Sequence, residues 1–133
     1  VMPARAQVVI TNEIPDLKLK GTFHFDKGYY YFRNVGNRVL LGGGRNLDLS
    51  GETTEKFGLS NQIQLKLKDL LENVILPSNS FEIEDAWSGI MGVGKSKSPI
   101  IKKINNNTAV GVRMGGMGVA IGSQVGKKLA DLF

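Results

Sequence analysis

The groups in this chain with the most chemistry to offer belong to the main chain. From Arg113 to Gly126 the sequence reads RMGGMGVAIGSQVG, and six of the protein's seventeen glycines fall between Gly111 and Gly126. Gly115 and Gly116 would leave the first N–H groups of a following helix uncovered. A helix start carries about half a positive charge, so that opening is suited to an anionic or electron-rich oxygen. In the helix itself Ile121, Val125, Leu129 and Leu132 recur at helical spacing. Gly118, Gly122, Gly126 and Ala130 form a second stripe with almost no side chain. Three interior glycines cost roughly 3 kcal/mol relative to alanine, so close packing against another backbone or a flat ligand is expected to offset them. Residue types alone leave two readings open: a helix packed tightly on a sheet, or a ligand-binding turn. The run is not a dinucleotide fingerprint, because no second strand with an acidic residue follows it.

Side-chain chemistry is sparser. With no cysteine and a single histidine, His24, there is no thiolate or histidine cluster for a metal and no disulfide. His24 alternates with Phe23 and Phe25, which assigns it a surface or structural place. In Tyr29-Tyr30-Tyr31 the alternation of a strand puts Tyr29 and Tyr31 on one face and Tyr30 on the other. Glu82, Glu84 and Asp85 read as an acidic strand rather than a catalytic pair, and no catalytic side chain is assigned. Trp87 reads as packing. The net charge of +5 is spread out; its densest group, Lys95, Lys97, Lys102 and Lys103, reads as a solvated loop, so no nucleic-acid partner is expected. No apolar run reaches the ~20 residues of a membrane span and no signal peptide opens the chain, so a cytoplasmic setting is expected.

The elements that must position these groups follow from pattern. Gln7–Thr11 is a β-branched strand, and Gly21–Phe32 reads as two strands broken at Asp26-Lys27-Gly28. Asn34–Asn37 between apolar strands predicts a hairpin looser than a two-residue turn. Ile63, Leu67, Leu70, Leu71 and Val74 predict a helix over 62–75, capped by Asn61 with Gln64 in capping-box register and closed before Pro77. Phe81–Trp87 is a further strand. Pro99–Ile104 and Thr108–Val112 form a second hairpin, and the glycine loop leads into a last helix running to Phe133. The fold class implied is α+β: an antiparallel sheet with one amphipathic helix, then a strand–glycine loop–helix. The expected division is 1–104 and 105–133.

Several short motifs occur in an order that resembles the C-terminal portion of the FAD-dependent D-amino-acid oxidase superfamily, nearest its glycine oxidase and D-amino-acid dehydrogenase branch. Val1–Gln7 resembles V-x-P-x-[RK]-G-[QE]. Tyr29–Arg33 through Arg38–Gly43 resembles a Y-x-x-P-R…G-R-x-x-x-G hairpin. Trp87-Ser88-Gly89-Ile90 resembles W-x-G-[LI], and Pro99-Ile100-Ile101 resembles P-x-I. The resemblance implies a flavoprotein oxidoreductase that moves a hydride from a small amine or amino-acid substrate to FAD. It implies that Gly115, Gly116, Met117, Gly118 and Val119, with Gly89 and Ile90, lie against the flavin, and that Tyr29, Tyr31, Met91 and Arg113 face substrate. Two departures bear on substrate class. The Arg-Pro pair usual after W-x-G-L is Met91-Gly92 here, and the usual G-H of the glycine loop is Arg113-Met114; Arg113 is a candidate replacement cation. The family's N-terminal G-x-G-x-x-G and its acidic ribose ligand are not in this sequence. The chain is therefore expected to start internally, to partner a missing dinucleotide-binding half, and to hold FAD in the intact protein but not alone. The competing reading is a stand-alone α+β module for an anionic ligand or protein partner.

Overall fold

A computed structural model describes residues 1–133. Two compact units are built from interleaved stretches: Arg5–Glu52 with Lys56–Gly89, and Val1–Ala4 and Thr53–Glu55 with Ile90–Phe133. The expected division after residue 104 falls inside a hairpin whose strands pair with each other, and the units keep that hairpin whole.

The larger unit holds a sheet in the order β2-β3-β4-β1-β5. Its strands are β1 (Met2–Thr11), β2 (Thr22–Phe25), β3 (Tyr30–Val35), β4 (Arg38–Gly43) and β5 (Ile83–Val93). β1 and β5 give it their residues 5–11 and 83–89. The pairs β2–β3, β3–β4 and β4–β1 are antiparallel. The break at Asp26–Gly28 is a short 3-10 turn with positive φ at all three residues. Val35 pairs directly with Arg38, so the first hairpin closes on two residues, Gly36 and Asn37, and is tighter than the sequence suggests. Gly36, with φ +59°, supplies the backbone that such a turn needs at its first position.

Helix α1 (Asn61–Leu70) turns Ile63, Leu67 and Leu70 onto the sheet. Its N-cap is Ser60, not Asn61, and no side chain of its own caps it. The Ser60 N–H donates instead to Gln7 Oε1 at 2.9 Å, and Gln64 Nε2 donates to the same oxygen at 3.0 Å. A strand residue thus closes the helix start from a distance in sequence. From Leu71 to Ile75 the helix widens into a π turn, with the Leu76 N–H on the Leu71 carbonyl at 2.8 Å. The extra residue rotates the stripe, leaving Val74 exposed while Leu71 and Leu76 are buried. The core joins these leucines to Val9, Ile14, Tyr30, Val39 and Leu41. At the sheet's edge the Phe23 and Phe32 rings stack at 4.9 Å.

The smaller unit is a β6 (Ile100–Asn105) and β7 (Thr108–Val112) antiparallel hairpin with helix α2 (Gly118–Ala130). The helix stops at Ala130, three residues before the expected end. Lys127 and Lys128 sit in its last turn, where the helix carries negative partial charge. No helix in the chain is long and apolar enough to cross a membrane.

Candidate functional site

The smaller unit carries a cleft built around the start of α2. Gly111 fixes the helix against β7: a Cβ there would lie 2.5 Å from Val125 Cγ1 and 2.7 Å from Leu129 Cδ1. Two members of the apolar stripe therefore sit directly on bare backbone. The strand then turns away through Arg113 (φ +64°), Gly115 (φ +56°) and Gly116 (φ +85°) before the helix begins. The glycines take this left-handed path without strain, whereas Arg113 does not.

That turn opens a cleft of about 470 Å³ lined by Val1, Met91, Gly92, Gly111, Val112, Arg113, Met114, Gly115, Gly116, Gly118 and Val119. The Gly115 N–H bonds the Gly92 carbonyl at 3.1 Å, and the Met117 N–H bonds the Met114 carbonyl at 2.9 Å. The N–H groups of Gly116, Gly118 and Val119 enter none of these bonds. Three main-chain donors at a helix start thus belong to residues that line a cleft with no acidic residue.

Of the residues singled out from sequence, Gly115, Gly116, Gly118, Val119, Met91 and Arg113 line this one cleft. Met117 does not; it is the N-cap and half exposed. Ile90 begins the same unit outside the lining, and Gly89 ends the larger unit, with nothing within 4 Å of where a Cβ would stand. Tyr29 and Tyr31 also belong to the larger unit. Tyr29 precedes β3 and is exposed. Tyr31 lies in the row His24, Tyr31, Gly42, Val8, on the face away from the core row Phe23, Phe32, Leu41, Val9. Its ring covers Gly42, where a Cβ would be 2.6 Å from Cε2, Cζ and Oη. Burial raises the Tyr31 hydroxyl above its ordinary pKa.

Some contributors escaped the sequence reading. Gly92 supplies the carbonyl that anchors the turn, and Gly94 and Ser98 hold the Arg113 side chain, with Nε donating to the Ser98 carbonyl at 2.9 Å. The only signal for them was the glycine spacing Gly89, Gly92, Gly94. The lysines of this segment are exposed, and Lys103 Nζ stands 4.6 Å above the Phe133 ring. Glu84 pairs with Arg38 at the surface. No grouping of histidine, aspartate and glutamate fit to hold a metal is present.

No curated protein matches the chain. Among solved structures it is similar to the L-proline dehydrogenase from P. horikoshii (TM-score 0.77, 18% identity, 98% of this chain and 35% of that one). It is also similar to the glycine oxidase from Bacillus cereus ATCC 14579 (TM-score 0.75, 15% identity, 98% and 35%). A third likeness is to the iminodiacetate oxidase from Chelativorans sp. BNC1 (TM-score 0.73, 18% identity, 96% and 34%). At these identities the likeness is one of fold, and the chain spans about a third of the length of each. The α+β architecture with its antiparallel sheet is the one these proteins share over that third. The family model for FAD dependent oxidoreductases matches residues 1–132, nearly the whole chain, and the protein belongs to that family of enzymes.

Proposed function

We propose that this chain forms the substrate-side part of an FAD-dependent oxidoreductase acting on an amine or amino acid, with the flavin's pyrimidine edge against the start of α2. One observation carries the reading: Gly116, Gly118 and Val119, whose N–H groups enter none of the backbone hydrogen bonds of the turn, all line one acid-free cleft. The residues fit the group. Gly115 has nothing within 4 Å of a would-be Cβ, so a flat ring can approach the backbone there. The donors suit the oxygen and nitrogen acceptors of a ring edge. When bound, the flavin supplies the hydride acceptor for a substrate C–H beside nitrogen.

The chain's own contribution is electrostatic and positional. The three amides, backed by the helix start, hold negative charge at the ring edge in a geometry already paid for by folding. Gly115 N–H serves the turn rather than the ligand, since it is committed to Gly92. Met91 walls the cleft beside Gly116, its sulfur 3.0 Å from where a Gly116 Cβ would stand. Arg113, which lines the cleft, offers a cation for a substrate carboxylate. An amine or amino-acid substrate agrees with the fold shared with an L-proline dehydrogenase, a glycine oxidase and an iminodiacetate oxidase.

The test is expression of the full-length protein. It should purify yellow or take up FAD, and its visible absorbance should bleach anaerobically with amino acids or secondary amines. A folded full-length protein that takes up no FAD would end this reading. Gly116→Ala should lower FAD affinity, because it adds a Cβ against Met91 at φ +85°.

A further inference from the structure

We propose that Met91 is a reversible oxidation site, and that the oxygen added to its sulfur takes the Gly116 N–H and closes the cleft to flavin. The proposal rests on the reading of that cleft as a flavin site and adds its regulation. Three observations converge. The chain has no cysteine, so thioethers are its only sulfur, and Met91, Met114 and Met117, three of its four methionines, stand in or beside this one turn. Met91 lines the cleft, half-buried, and its sulfur is 3.0 Å from where a Gly116 Cβ would stand. The Gly116 N–H enters none of the backbone hydrogen bonds of the turn.

The oxidant is hydrogen peroxide, and the step moves two electrons. The sulfur lone pair attacks one peroxide oxygen, the O–O bond breaks and an S–O bond forms, and the second oxygen leaves as water. A thioether sulfur is a weak acceptor, and oxidation turns it into a polar sulfoxide. On Met91 the new oxygen is carried by an atom already against the Gly116 main chain. An internal acceptor thus replaces the one a ligand would bring. The other methionines are placed differently. Met114 also lines the cleft, but its sulfur lies 4.0 Å from a would-be Cβ of Gly118. Met2 and Met117 are about half exposed and stand outside the lining. Susceptibility follows exposure, so these two should oxidise at least as readily and serve as internal controls.

The experiment treats the full-length protein, freed of flavin, with hydrogen peroxide and maps the added oxygens by peptide mass spectrometry. Hydrogen exchange in the peptide holding Gly116 and affinity for FAD are measured before and after. Oxidised wild type should carry sulfoxide at Met91, exchange more slowly at Gly116 and bind FAD about tenfold more weakly, the order of one amide donor lost. Methionine sulfoxide reductases, one for each epimer, should restore both quantities. Met91→Leu, a swap of similar volume, should show no change in either on treatment, whatever its starting affinity. A variant carrying Met2→Leu, Met114→Leu and Met117→Leu should respond as wild type does. Met91→Gln, whose carbonyl stands in for the sulfoxide, should exchange slowly and bind weakly without peroxide; it also serves if Met91→Leu does not fold. Met91 left unmodified while Met2 and Met117 are converted overturns the site. A sulfoxide at Met91 with exchange and affinity unchanged, or equal losses in Met91→Leu, overturns the switch. A protein that takes up no FAD before treatment overturns the flavin reading beneath, and exchange at Gly116 then still decides whether the sulfoxide holds that amide.

Discussion

Arg5 Nη2 lies 2.7 Å from Glu52 Oε1, and the Glu52 side chain is wholly buried. Arg5 Nε reaches the second carboxylate oxygen at 2.9 Å, so the pair is bidentate, and Gln7 Nε2 adds a third bond at 2.9 Å. The backbone joins in, with the Arg5 N–H on the Glu52 carbonyl at 2.8 Å. Through this knot the long loop before α1 is tied to β1.

Cutting the knot at one end leaves a charge without its partner in a dry place. Glu52→Ala is expected to destabilise the larger unit by about 3–5 kcal/mol, well beyond the cost of breaking a surface pair such as Lys68 with Glu72. Equilibrium denaturation of Glu52→Ala and of Glu72→Ala checks this; comparable small losses would mean the buried pair contributes no more than the exposed one.

The same carboxylate gives the fold an acid sensitivity of known sign. Burial pushes the Glu52 carboxyl up, but the hydrogen bonds from Arg5 and Gln7 and the charges of Arg5 and Arg45 outweigh it, so it titrates below its ordinary value. A carboxyl lower in the folded than in the unfolded chain stabilises fully above the unfolded pKa and loses that contribution as pH falls through the folded one. The stability gap between wild type and Glu52→Gln should therefore hold constant from pH 7 to about 5 and narrow below about pH 4. A gap that widens on acidification would contradict the assignment.

Tyr31 and Gly42 form a second coupled pair. Gly42→Ala would press a methyl into the tyrosine ring 2.6 Å away, an overpacking worth about 1–3 kcal/mol. In a Tyr31→Ala background the same substitution should cost almost nothing. A double-mutant cycle on thermal stability reads this directly, and additive losses would show that the crowding arises elsewhere. If Tyr31 faces substrate, Gly42→Ala should also raise KM more than it lowers kcat.

The glycines of the smaller unit should respond in opposite directions. Gly111→Ala would drive a methyl into Val125 and Leu129 and lift α2 from β7, costing about 1–3 kcal/mol. Gly122 and Gly126 have nothing within 4 Å of a would-be Cβ, so alanine at each should stabilise this 133-residue chain by up to about 1 kcal/mol. In the full-length protein, a loss on Gly122→Ala would reveal a backbone packed against that bare stripe.

What could be read from residues alone was whatever had a local cause. Alternation and helical spacing place β1, β3, β4, β6, β7 and α1, and the glycine run marks the turn whose Gly115, Gly116, Gly118 and Val119 line the cleft. The misses have non-local causes. The cap of α1 lies at Ser60 because Gln7 supplies the acceptor, which no window around Asn61 could reveal. Glu52 sits in a polar, glycine-flanked stretch that resembles a solvated loop; only Arg5 and Gln7, 45 and more residues away, make it a buried anchor. Val74 fits the 3.6-residue stripe, and the π turn at Leu71–Ile75 moves it out.

The oxygen of one strand glutamine that closes the first turn of α1 also bears on how the molecule comes apart. A helix whose opening amide is held 53 residues upstream cannot fray by itself: freeing Ser60 requires β1 to loosen as well. Deuterium should therefore enter at Ser60 at the pace of the central strands, not at the faster pace of an ordinary helix tip.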